Sequence, residues 1–86
     1  MDYKQKLEYQ SNYWYNDGLK KAQIRDLSGA IVSLKRSLQF NRENITARNL
    51  LGLVYYGRGE VAEALVEWII SKKLQGFREY CQLLYQ

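Results

Sequence analysis

The sequence predicts an all-α fold, and three observations carry that prediction. Proline is absent from all 86 residues. The six glycines are spread thinly, at Gly18, Gly29, Gly52, Gly57, Gly59 and Gly76, so few positions interrupt a helical reading. Apolar residues recur at spacings of three and four through most of the chain, which is the period of one helix face.

The first helix is read over residues 3–24, where Leu7, Tyr13, Trp14, Leu19 and Ala22 stand among lysines and glutamines. Residues 1–10 precede the periodic core of that segment and either extend the helix by about two turns or fold back as a lid; periodicity does not separate the two, and the extension is preferred. Asp26 offers an N-cap for a second helix carrying Leu27, Ala30, Ile31, Leu34 and Leu38, and the pair makes a helical hairpin. Asn44 offers the next N-cap, ahead of Leu50, Leu51, Val54 and Tyr55, and Gly57-Arg58-Gly59 ends that helix. The fourth, Glu60 to Leu74, places Val61, Ala64, Leu65, Trp68 and Ile69 on one stripe. Gly76 is expected to terminate it and to leave Phe77 to Tyr85 as a short fifth helix.

Composition narrows the function classes. Hydrophobic residues make up 47% and charged residues 26% of the chain, close to the averages of globular proteins, so a disordered or low-complexity chain is disfavoured. No apolar run approaches the roughly 18 residues that a membrane span needs, and the first ten residues are polar, so the expected location is the cytoplasm. With no histidine and one cysteine, Cys81, the chain has no histidine-based triad, thiolate–imidazole metal site or internal disulfide. The expectation is a protein that is not an enzyme and that uses no cofactor or metal.

Aligned with itself at an offset of 34 residues, the chain superposes Gly18 on Gly52, Leu19 on Leu53, Ala30 on Ala64, Val32 on Val66 and Ser37 on Ser71. Leu34 meets Trp68, and Asp26 meets Glu60. Small residues at four of these positions let paired helices cross closely, while Leu34 and Trp68 fill the space beside them.

A 34-residue helix-turn-helix unit with these residues resembles the tetratricopeptide repeat. In the second copy Leu51-Gly52, Tyr55, Ala64 and Trp68 occupy the family's Leu-Gly, Tyr, Ala and large-aromatic positions. In the first, Trp14, Gly18, Ala30 and Leu34 correspond, with Asp17 where leucine is usual and Lys21 where tyrosine is usual. The family's helix-ending proline is replaced by Arg42 and Gly76. The resemblance implies an α-solenoid of about five helices in a right-handed superhelix, with an N-terminal extension at 1–10, repeats at 11–44 and 45–76, and a capping or truncated helix at 77–86.

The resemblance also implies a function. Such repeats are similar to interaction scaffolds whose first helices line a concave groove for a peptide or partner helix. The implied groove positions are Asn12, Tyr15, Asn16, Leu19 and Gln23 in the first copy, and Thr46, Asn49, Leu53 and Tyr56 in the second. The lysine and asparagines that clamp a peptide carboxylate in some members are replaced by Tyr15, Leu19 and Leu50. An amide-lined, aromatic and aliphatic groove fits an amphipathic helix or apolar segment.

Blander readings stand beside this one. Tyr15, Leu19, Leu53 and Tyr56 could be covered internally, which would make the chain a structural self-assembly module. Trp14 and Trp68 are read as core. Lys20-Lys21, Lys35-Arg36 and Lys72-Lys73 read as solvated faces, and a sparse basic pattern of this kind disfavours nucleic-acid binding; weak RNA binding, with Tyr13 and Tyr15 near Lys20 stacking on bases, stays as a minor alternative. Cys81 reads as a small buried hydrophobe, and Glu60, Glu63 and Glu67 as an exposed polar face. Two repeats bury less apolar surface than a solenoid normally needs. Phe77 to Tyr85 is therefore expected to pack back on Trp68 and Ile69, and the remaining apolar face to pair with a second chain in a homodimer.

Overall fold

The computed structural model describes residues 2–84. Among them it contains four helices and no strand: α1 (Tyr3–Gln23), α2 (Leu27–Phe40), α3 (Ile45–Gly57) and α4 (Val61–Leu84). Helix α1 packs on α2, α2 on α3, and α3 on α4, with α1 also touching α3.

Each start has a local cause. At α1 the Asp2 carboxylate accepts from Gln5 N at 2.7 Å while Gln5 Oε1 accepts from Asp2 N at 3.0 Å, a reciprocal capping box. Asp26 accepts from Gly29 N and Asn44 from Ala47 N, so the two caps expected from the sequence are in place. Residues 3–10 form the first two turns of α1 and do not fold back over the protein.

The two hairpins repeat their turn hydrogen bond by hydrogen bond. Helices α1 and α3 end at Gln23 and Gly57, and α2 and α4 begin at Leu27 and Val61, both shifts being 34 residues. Asp26 N donates to Lys21 O at 2.8 Å, and Glu60 N to Tyr55 O at 2.9 Å. Arg25 N donates to Ala22 O, and Gly59 N to Tyr56 O. The residues that reverse the chain, Arg25 and Gly59, both have positive φ, 68° and 83°. This left-handed turn suits glycine and costs an L-residue such as arginine about 1–2 kcal/mol.

The core lies where the sequence places it. Ala30, Ile31, Leu34 and Leu38 of α2 meet Ala47, Leu51, Val54 and Tyr55 of α3 and Ala64 of α4. Close helix approach depends on the two paired glycines: a Cβ at Gly18 would stand 2.7 Å from Leu34 Cγ, and one at Gly52 2.7 Å from the Trp68 Cδ1.

Several expectations need correcting. Gly76 does not end α4, which runs unbroken to Leu84, so the described chain has four helices and not five. A glycine stops a helix by taking positive φ, and Gly76 is not among the positive-φ residues. A cap for a following helix is also missing. The first copy turns through Asn41 and ends on Asn44, whereas the residues 34 further on are Gln75 and Arg78, which cannot serve as good caps. As part of one straight element, Phe77 and the residues after it cannot fold back on Trp68 and Ile69. Phe77, Tyr80, Leu83 and Leu84 are instead exposed. Tyr85 and Gln86, the last positions of that expected segment, lie outside the described residues.

Trp14 and Trp68, both read as core, are each half-buried, and Trp68 packs against the core cluster while Trp14 lies at the surface of α1. The Arg36 guanidinium covers its ring at 4.7 Å, and Tyr13 meets it edge-on. Asp17 accepts from Ser33 Oγ at 2.6 Å and pairs with Lys21 at 2.8 Å. The Lys21 hydrogen bond, and then that of Ser33, hold the Asp17 carboxyl below its usual range.

Candidate functional site

The sequence-predicted site residues form two stripes on helices that touch. On α1, Asn12, Tyr15, Asn16, Leu19 and Gln23 follow spacings of three and four, and on α3 so do Thr46, Asn49, Leu53 and Tyr56. Asn12, Asn16, Gln23, Thr46 and Asn49 are exposed, and Tyr15 and Leu19 are half-buried. Tyr15 packs against the core with one part of its ring. Leu53 and Tyr56 are 59% and 57% exposed and stand three residues apart on one face of α3.

The two stripes differ in how firmly they are held. The Tyr56 ring lies 6.1 Å from that of Trp68, in a tilted arrangement. Asn49 Oδ1 accepts from Ser71 Oγ, so its amide group is oriented by α4. Leu53, on the same helix, is exposed. Asn12 and Thr46, one from each stripe, both line a cleft of about 310 Å³ with Glu8, Asn41, Asn44 and Arg78. Asn12 Oδ1 accepts there from Asn44 Nδ2 at 3.4 Å.

Beneath that cleft is a polar knot that the sequence reading missed. Ser37 Oγ donates to Ser11 O at 2.7 Å, the two serine hydroxyls stand 3.1 Å apart, and Asn44 Nδ2 donates to Ser11 Oγ at 2.9 Å. Ser11 and Ser37 are buried, so α1, α2 and the start of α3 are joined by satisfied hydrogen bonds at one point. The repeat alignment marked Ser37 and Ser71 as equivalent, but it gave no reason for Ser11, because the residue 34 further on is Ile45.

A second missed element is the ion pair between Arg48 Nη1 and Glu67 Oε2 at 2.8 Å, with Arg48 Nη2 also donating to Arg42 O. Both side chains are largely buried between α3 and α4, so Glu67 does not belong to an exposed acidic face. Arg48 stands one turn before Gly52 on α3, and its long side chain reaches Glu67, the neighbour of the Trp68 that packs on Gly52. Arg48 also lines a cleft of about 560 Å³ between the Asn41–Glu43 turn and Ile70 and Leu74 of α4. None of the predicted groove residues faces that cleft. Cys81 is half-buried beside Leu74 and Phe77.

Among the described residues no three acidic, histidine or cysteine side chains stand close enough to hold a metal ion. No described helix is long and apolar enough to cross a membrane. What the α1–α3 face offers is surface: amides that donate and accept, an exposed leucine, and tyrosine rings with a polar edge.

No family model matches the chain, and no solved structure matches it. The chain is similar to a Caenorhabditis elegans protein named BBSome complex member bbs-4, with 42% identity over 45 residues. That stretch is 52% of this chain and 10% of the other, so the match spans a small part of a much longer protein.

Proposed function

We propose that the chain is a non-catalytic interaction module of tetratricopeptide type, its helices stacked as a right-handed solenoid, and that it binds an amphipathic helix or apolar segment of a partner protein along the α1–α3 face. The observation that carries the reading is the pair of exposed apolar side chains, Leu53 and Tyr56, flanked by the amides of Asn16, Gln23 and Asn49 on two adjacent helices. An amphipathic helix would set its apolar side chains on Leu53, Tyr56 and Leu19 and leave its backbone ends and polar edge to the amides. The similarity to a protein named as a member of a complex supports a role with protein partners. The same reading places the protein in the cytoplasm, leaves it without cofactor, and includes pairing with a second copy of itself.

The test uses a fluorescein-labelled amphipathic peptide of leucine, alanine, glutamate and lysine, read by anisotropy. Leu53→Asp should abolish binding while the unfolding midpoint stays put, because Leu53 is exposed. An unchanged affinity removes the groove from consideration. Loss of fold in Leu53→Asp means that the face is filled internally, and a steep fall of binding with salt in a matching RNA assay would favour phosphate contacts instead.

A further inference from the structure

Helix α4 has two working faces, and the hairpin uses one of them. Ala64 and Ser71 are buried against α3, Glu67 and Trp68 reach the same side, and Arg78 Nη2 donates to Glu43 O at 2.9 Å. On the opposite side Leu65, Val66, Ile69, Phe77, Tyr80 and Leu83 are half to seven-tenths exposed. That is too much apolar surface along one helix for scattered exposure to explain.

The exposed side has a seven-residue period. Val66, Lys73 and Tyr80 fall on one line, and Ile69, Gly76 and Leu83 on the next, which are the two inward lines of a coiled coil. Phe77 and Leu84 flank one edge, while Leu65, Lys72 and Glu79 flank the other. We infer that this seam takes the α4 of a second copy, running antiparallel. This deepens the self-pairing part of the proposed function and uses a surface separate from the groove.

Charge and size select the antiparallel register. With Ile69 against the second copy's Tyr80, Val66 meets Leu83 and Lys73 meets Gly76, each contact made twice by symmetry. The missing side chain at Gly76 leaves room for the Lys73 stem to cross and its ammonium to reach water; no atom lies within 4 Å of where a Gly76 Cβ would stand. Lys72 then stands beside the other copy's Glu79 on the flank, again twice. Parallel pairing would stack Lys73 on Lys73 in the seam and form neither ion pair.

A head-to-tail arrangement is disfavoured by the other end of the protein. By the 34-residue offset, the positions at which α3 buries Ala47, Leu51 and Val54 are Tyr13, Asp17 and Lys20 on α1. Asp17 is already engaged by Lys21 and Ser33, and covering it with α4 of another copy would strip water from an ion pair. The α4 seam therefore finds its best partner in itself, through an isologous contact that closes at two chains.

Sedimentation equilibrium on the full chain tests this. The wild type should behave as a dimer, and Ile69→Asp as a monomer. Lys72→Glu and Glu79→Lys should each weaken the dimer about tenfold, since each sets like charges together at two symmetric sites. The double variant K72E/E79K should recover to within about threefold of wild type, because it rebuilds both pairs in reverse. That recovery also guards against simple misfolding of a single variant. A monomeric wild type, a dimer indifferent to Ile69→Asp, or singles that the double does not rescue would overturn the seam. Peptide binding by a monomeric wild type would do so while leaving the groove standing.

Discussion

Replacing Gly76 with alanine separates the continuous α4 from a helix that stops at Gly76, because the two arrangements predict opposite signs. In a helix interior, alanine is about 0.8–1 kcal/mol better than glycine. In the single chain nothing lies within 4 Å of the added Cβ, so no packing cost is subtracted in the monomer, the dilute state in which the variant is compared. Were Gly76 instead the left-handed residue that ends a helix, alanine there would cost about 1–2 kcal/mol. The two cases therefore differ by roughly 2–3 kcal/mol in all. The turns beyond Leu74 are tied to the rest by few contacts, Arg78 to Glu43 O among them, so they can open without global unfolding. The sensitive readout is amide hydrogen exchange over residues 77–84, which should slow about fivefold in Gly76→Ala, with a gain in far-UV helical signal. Faster exchange at those amides, or a lower unfolding midpoint, would refute the unbroken helix.

Other substitutions test how the hairpins are held. Gly52→Ala drives a methyl into the Trp68 indole, and an overpacking cost of about 1–3 kcal/mol outweighs the propensity gain, so urea midpoints should fall where Gly76→Ala raises them. Asn44→Ala removes an N-cap and a donor to the buried Ser11 hydroxyl together, an expected loss of about 2 kcal/mol, while Asn44→Asp should keep the cap and lose less. The Asp17 carboxyl is held below its ordinary range in the folded protein, so its contribution is complete above the unfolded value near pH 4 and is lost as pH falls through the folded value. Asp17→Asn should therefore narrow its stability gap to wild type on acidification, as followed by urea melts at stepped pH.

What could be read from the sequence was whatever repeats at 34 residues. The crossings at Gly18 and Gly52, with Ala30 and Ala64 beside them, recur in both copies, and the caps at Asp26 and Asn44 each carry a local signature of their own. The interactions that occur once were invisible. Ser11, Ser37 and Asn44 join three helices, and Arg48 and Glu67 join two, yet none of these residues has a counterpart of its own kind at all its partners' positions. Gly76 failed for a related reason. A lone glycine was read as a stop, although the asparagines that form the turn after Phe40 have no equivalents after Leu74. The stripes on α1 and α3 were legible as helix faces, but the hydrogen bond that orients Asn49 and the ring beside Tyr56 depend on how α4 lies across α3.

The difference between α2 and α4 explains why the chain can carry two kinds of contact. By the same offset, Ile31 of α2 corresponds to Leu65 of α4, and Leu27 to Val61. Ile31 is buried under α3, while Leu65 and Val61 are half-exposed, since none of the described residues covers that side of α4. The proposed partner face on α1 and α3 includes no residue of this seam, and α4 meets it only from behind, through Ser71 and Trp68. Occupying one surface therefore leaves the other free. If so, Leu53→Asp should leave the sedimentation mass unchanged, and Lys72→Glu should leave peptide affinity unchanged. A variant at either surface that moved both readouts would mean that the groove and the seam are parts of a single interface.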